Sequence, residues 1–166
     1  MTSGRRWPML VTAALFLSTI ITGWYVHPAT ISSPFVLQRV ALLPTVFHNL
    51  RVIVFLSAGG LLLAVPTVVV AAWNSFMAGT FFAAVADHPL WLVSLSIHGL
   101  PELAGQFCGT VSGLKVAASL IRTIVHDDPF HLAIPLRWFG SAVVLTLLAA
   151  VLESGVSPLV VDAIGG

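Results

Sequence analysis

The sequence predicts an all-α integral membrane bundle of about five spans, and three observations predict it. Hydrophobic residues make up 58% of the 166 positions and charged residues 8%, whereas a soluble domain needs roughly 25% charged residues to wet its surface. Mean hydropathy is +1.02. The apolar stretches are interrupted by proline, glycine and Asn/Asp clusters at intervals that suit helices of ~20 residues, the length that crosses ~30 Å of hydrocarbon. A chain of this length has room for five or six spans and little else, so residues 1–166 form a single transmembrane domain. Net charge is +1, which leaves no basic footprint for nucleic acid. One cysteine, Cys108, excludes an internal disulfide.

The first span covers residues 7–26. Arg5 and Arg6 precede it in the charge order of a signal peptide, but bulky Trp24-Tyr25-Val26 replaces a small-x-small cleavage site, which predicts a retained helix. Trp24 and Tyr25 mark its far interface. Residues 27–45 carry Pro28, Pro34 and Pro44, and within them 35–43 reads as a short interfacial helix with Arg39 toward the headgroups. A second span is expected over 47–72, entered through His48-Asn49-Leu50-Arg51 and containing Gly59-Gly60 and Pro66. Trp73-Asn74-Ser75 reads as a break. Residues 75–86 are then too short to cross upright, and either pass through with help from Trp73 and Asn74 or re-enter. Asp87-His88-Pro89 is a turn. Residues 90–125 exceed one straight span, so a broken helix is expected near Gly99-Pro101, with Pro101 opening the second piece. The last span covers 136–153, and 156–166 form a tail.

Basic residues set the orientation. With five crossings, Arg5, Arg6, Lys115, Arg122 and Arg137 share one side, which the positive-inside rule makes cytoplasmic. The N-terminus is then inside and the C-terminus outside, and Arg39 and Arg51 fall on the outer side. A re-entrant 75–98 would destroy this bias.

Polar residues in the spans are the candidate working parts, because ionisable groups at membrane depth are expensive. At 100° per residue, Glu102, Gln106, Gly109 and Gly113 form one stripe with Gly105 on its border. Small residues at four-residue spacing admit a neighbouring helix closely, so the stripe should face protein. Three readings of His98 and Glu102 stay open. Glu102 sits at a helix N-terminus and His98 bonds to it or to backbone. Alternatively, Glu102 pairs with Arg51 or shares a polar core with Asn49, Arg51, Asn74, His98, Gln106 and Glu153. In the third, His98 and Glu102 act as catalytic residues or as ligands of a divalent metal with a further donor. Glu153 opposes the dipole of the helix it ends, so Arg51 or His48 is its expected partner. His27, His88, His126 and His131 read as interfacial or capping residues; His126-Asp127-Asp128 with His131 could gather a metal at the rim. No nucleophile elbow, phosphate loop, CxxC or HExxH pattern occurs.

Several motifs in order resemble the stage II sporulation protein M (SpoIIM) family of multi-pass membrane proteins. They are His48-Asn49-Leu50-Arg51-Val52, then Ser57-Ala58-Gly59-Gly60, then Asn74 with Gly79, then His98-Gly99-Leu100-Pro101-Glu102-Leu103 with Gly109 and Gly113, and finally Glu153 with Pro158. The resemblance spans about 48–158. The family often has a second asparagine where this chain has His48. It implies a helical bundle of about five spans and a scaffold in a cell-envelope complex, as in the sporulation member that holds peptidoglycan-degrading partners at the membrane. Relatives also accompany export and maturation of circular bacteriocin peptides.

Three functions therefore compete at this point. The first is a non-enzymatic scaffold or assembly factor of a cell-envelope or peptide-export complex, working with other membrane or envelope proteins or an exported peptide and forming a homo-oligomer in the lipid bilayer. The second is an intramembrane metal-dependent enzyme that processes a peptide through His98 and Glu102, with Glu153 or His48 completing its site. The third is a channel or transporter subunit whose polar path runs past Asn49, Arg51, Asn74, Glu102 and Gln106.

Overall fold

The computed structural model describes residues 6–26, 41–156 and 159. They form five helices: α1 (Trp7–Val26), α2 (Leu42–Ala58, continued by a 3-10 turn Gly59–Leu62), α3 (Val65–Ala84), α4 (Pro89–His126) and α5 (Ala133–Val151, continued by a π-helical turn Leu152–Val156). All five are long and apolar enough to cross a membrane. The face of the bundle on which α1 begins is the near side, and the face on which it ends is the far side.

Helix α4 is the central element. It runs beside α2, against which Gly109 and Gly113 meet Leu56, and antiparallel to α5, against which Gly105 meets Ala142 and Thr146. Helix α1 packs on α3, where Gly23 faces the Phe76 carbonyl and Gly79 faces Ile20, and the Thr19 and Ser75 hydroxyls bond across the contact. The core that results is made of Phe16, Ile53, Leu56, Ala71 and Ala142. Small polar residues fill the rest: Thr12, Thr67, Ser75, Thr110, Ser112 and Thr146 are almost fully buried. This composition is what close packing in lipid requires, since no hydrophobic force draws helices together there.

Four boundaries differ from the sequence expectation. First, Leu42 and Leu43 belong to the opening turn of α2 rather than to an interfacial helix, and Pro44 is tolerated there because first-turn N–H groups have no helical partner. The remainder of the expected interfacial helix, with Arg39, lies outside the described residues, as do His27 and Pro158. Second, 47–72 is not one span. The chain reverses at Gly59–Ala64, with Leu63 and Ala64 both left-handed (φ 55° and 64°). Two consecutive non-glycine residues in that region cost on the order of 1–3 kcal/mol each. Thr67 helps hold the turn by donating to the Leu56 carbonyl at 2.8 Å, and Pro66 opens α3.

Third, α3 passes without interruption through Trp73-Asn74-Ser75. Asn74 Nδ2 donates to the Val70 carbonyl at 2.8 Å and Ser75 Oγ to the Ala71 carbonyl at 2.6 Å. Each polar side chain thus satisfies itself within the helix instead of breaking it. Residues 75–84 are consequently the second half of a full-length helix. Fourth, α4 is continuous through Gly99-Leu100-Pro101 for 38 residues. Proline forfeits one backbone bond, and packing of α4 along α2, α3 and α5 holds both halves in line; such interior prolines are common in membrane helices.

Candidate functional site: a polar chamber at the far side

On the far side, α2, α3 and α4 diverge and enclose a cavity of about 420 Å³. Its polar lining comes from three helices: His48 of α2, Asn74 of α3, and His98, Glu102 and Gln106 of α4. Met77, Phe81, Phe82 and Leu95 supply the apolar wall. The sequence explains why these side chains share one space. His98, Glu102 and Gln106 recur every four residues on an unbroken helix and so stack along one face. Residues 77, 78 and 81 do the same on α3.

Within the chamber Gln106 Nε2 donates to Glu102 Oε1 at 3.0 Å. His98 is hydrogen-bonded to the backbone of Ser94, and the Glu153 carboxylate, on the π turn after α5, lies close enough to act electrostatically on both His98 and Glu102. Hydrogen-bonding capacity remains unspent. Gln106 Oε1 and Asn49 Nδ2 are buried without a partner in residues only 5% and 7% exposed, as is Thr146 Oγ1 beside Gly105. An unmet buried polar atom costs about 1–3 kcal/mol; of the three only Gln106 lines the chamber, where its free carbonyl oxygen is available to a donor entering it.

The chamber is closed below. Beneath Gln106 the helices meet at Ile53, Leu56 and Val111, each no more than 1% exposed. There the Gly113 backbone lies against the Leu56 carbonyl and Thr67. The cavity therefore opens toward the far side and the lipid, and its lining reaches no deeper than Asn74 and Gln106.

The structure thus assembles His98, Glu102, Gln106 and Asn74, with Asn49 beside them on α2 and Glu153 at the rim. It does not bring Arg51 in. Arg51 is exposed on the outer face of α2, with its guanidinium 5.6 Å from the Phe55 ring centre. No ion pair to Arg51 forms among the described residues, and Glu153 faces α4 instead. An arginine at the centre of a span costs about 2.5–3.5 kcal/mol on insertion scales. One contributor escaped the sequence reading: the Met77/Phe81/Phe82 wall belonged to a segment read as too short to cross. Among the described residues no three His, Cys, Asp or Glu side chains gather as a metal-holding group. That holds both around His98 and Glu102 and at the His126/Asp127/Asp128/His131 rim.

A second cavity, of about 740 Å³, lies at the near side between α1, α4 and α5, and Lys115, Arg122 and His131 line it beside Trp7. Ser119 Oγ accepts the His131 N–H there at 2.9 Å.

Five membrane-length helices around a glycine-packed central helix, with a one-sided polar chamber, define a multi-pass helical membrane protein. The chain belongs to the Stage II sporulation protein M family, whose profile matches residues 12–158. No curated protein and no solved structure matches it.

Proposed function

We propose that the protein is a non-enzymatic membrane scaffold of a cell-envelope or peptide-export complex, and that the far-side chamber is where it engages other membrane proteins. One observation carries this reading: a laterally open chamber with an unmet hydrogen-bonding group is mounted on a rigid, glycine-packed frame. Rigid placement of an unsatisfied group suits docking, because the frame does not have to order itself when a partner arrives. The closed layer at Ile53, Leu56 and Val111 argues against a through-channel. The side bearing Lys115, Arg122 and Arg137 is taken as cytoplasmic, which turns the chamber outward.

Purification from native membranes in mild detergent tests the proposal. Envelope proteins are expected to co-purify reproducibly with the wild type, and Asn74→Leu with Gln106→Leu is expected to deplete them while the bundle stays folded. A chain that is always recovered alone from native membranes refutes it.

A further inference from the structure

Arg51 and Glu102 are each anomalous in the same way. Arg51 lies midway along the 21-residue span Leu42–Leu62, exposed, with its guanidinium 5.6 Å from the Phe55 ring centre. Glu102 has Gln106 as its side-chain partner in the chamber and no cation paired with it among the described residues. The chain has six acids. Asp87, Asp127 and Asp128 stand at the helix ends, Glu153 is at the far end of its span, Asp162 lies outside the described residues, and residues 27–40 contain no acid. Glu102 is the described carboxylate placed to answer a cation at the depth of Arg51.

Their depths match. Gly109 and Gly113 meet Leu56 across the α2–α4 contact, so residue 51 lies level with about residue 106 of α4, and Glu102 is about one helical turn, ~6 Å, from that level. Their faces are also adjacent. His48, three residues before Arg51, is exposed and lines the chamber, and residues three apart are neighbours on a helix surface. Arg51 therefore flanks the chamber mouth from outside while Glu102 waits within it.

We infer that a second copy of this chain completes the site: Arg51 of each protomer enters the chamber mouth of the other and pairs with its Glu102. Because cation and mouth lie side by side on one surface, a two-fold axis between two copies satisfies both at once, which is the requirement of a self-complementary dimer. The arrangement removes an arginine from lipid and gives the carboxylate a counter-ion in a low-dielectric site. A guanidinium carries five donors, enough to serve the Gln106 carbonyl oxygen as well. This deepens the scaffold reading by naming what occupies the chamber.

Charge exchange between differently tagged copies, expressed together and captured from native membranes, tests it. Wild type is expected to capture wild type. R51E alone and E102R alone are each expected to lose at least tenfold in self-capture, because each would face a like charge. Co-expression of R51E with E102R is expected to restore capture, since one chain then offers two acids and the other two arginines. If capture returns only when both substitutions share one chain and never on mixing, the pair is intramolecular and the inference is overturned. Solitary wild-type protein overturns it too. Should the charge reversals fail to fold, R51C and E102C in separately tagged C108S chains take their place: a cross-link between the two chains through a bifunctional thiol reagent matched to the reach of an Arg–Glu pair supports the contact, and its absence with folded protein refutes it. Loss of self-capture in wild type while envelope proteins still co-purify removes the dimer and leaves the scaffold standing. Self-capture with no other partner does the reverse.

Discussion

Alanine at Gly113 would test how the frame under the chamber is held. In an exposed helix the change stabilises by up to about 1 kcal/mol, because glycine loses more backbone freedom on ordering. Here an added Cβ would collide with the Leu56 carbonyl oxygen and stand 2.6 Å from Thr67 Oγ1 and 2.8 Å from its methyl carbon. Comfortable carbon contacts are about 3.5–4 Å, so α2 or the 59–64 turn must retreat by about 1 Å. Overpacking of this kind costs about 1–3 kcal/mol. The retreat also strains the Thr67–Leu56 hydrogen bond, worth about 1 kcal/mol. The net expectation is a loss of about 2 kcal/mol, on the order of 30-fold in the folding equilibrium. Gly109→Ala is the internal control, since its Cβ would find Leu56 and Ile53 at 3.3–3.5 Å, and Gly140→Ala would find nothing within 4 Å. Gly109→Ala should lie within about 0.5 kcal/mol of wild type, and Gly140→Ala between wild type and about 1 kcal/mol more stable. Reversible unfolding in mixed micelles with rising SDS, followed by helical circular dichroism, ranks the three. Equal midpoints for Gly113→Ala and Gly140→Ala would show that α2 and α4 are not in backbone contact, and the packing argument would fail.

Thr67→Val removes the hydroxyl that secures the near-side turn, and the same titration should show a loss of about 1–2 kcal/mol; an unchanged midpoint means the Leu56 carbonyl finds another donor. Asn49→Leu deletes a buried, unpartnered donor and is expected to be neutral or stabilising by about 1 kcal/mol; destabilisation would show that Nδ2 has a partner after all. In membranes, a cysteine introduced as His98→Cys in a Cys108→Ser chain should react with a water-soluble maleimide from the far side, whereas native Cys108, lower on α4 and half-buried, should stay unlabelled. Labelling of Cys108 at the rate of the introduced thiol would contradict the closed layer beneath Gln106.

The sites of misreading share one cause. Hydropathy and turn chemistry register only what a residue prefers on average. The reversal at Leu61-Leu62-Leu63-Ala64 is made of lipid-compatible residues, so nothing in composition marks it, and it exists because Gly59 and Gly60 let the chain lie against Thr67 and Gly113. Conversely Asn74, Ser75 and Pro101 advertise breaks that do not occur. The first two bond to carbonyls one turn back, and the third is carried through by neighbours on three sides. These errors compensate in parity, so Lys115, Arg122 and Arg137 still stand toward the side on which α1 begins.

What the sequence determined alone is the solvent. A chain with so few charges can fold only where its apolar surface is not exposed to water, and backbone groups in lipid must then be satisfied within helices. The spacing of Glu102, Gln106, Gly109 and Gly113 likewise fixed one face of α4, because helical periodicity is local. Which helices met that face was decided only in three dimensions: α2 took the glycines 109 and 113, α5 took Gly105, and the chamber opened where α2 and α3 spread apart. Partner choice depends on contacts between residues far apart in the chain, such as Leu56 with Gly113, whose energy exists only once both helices are already placed. Arg51 shows the same limit, since its sequence neighbours put it beside the polar core while its position on the helix turned it outward.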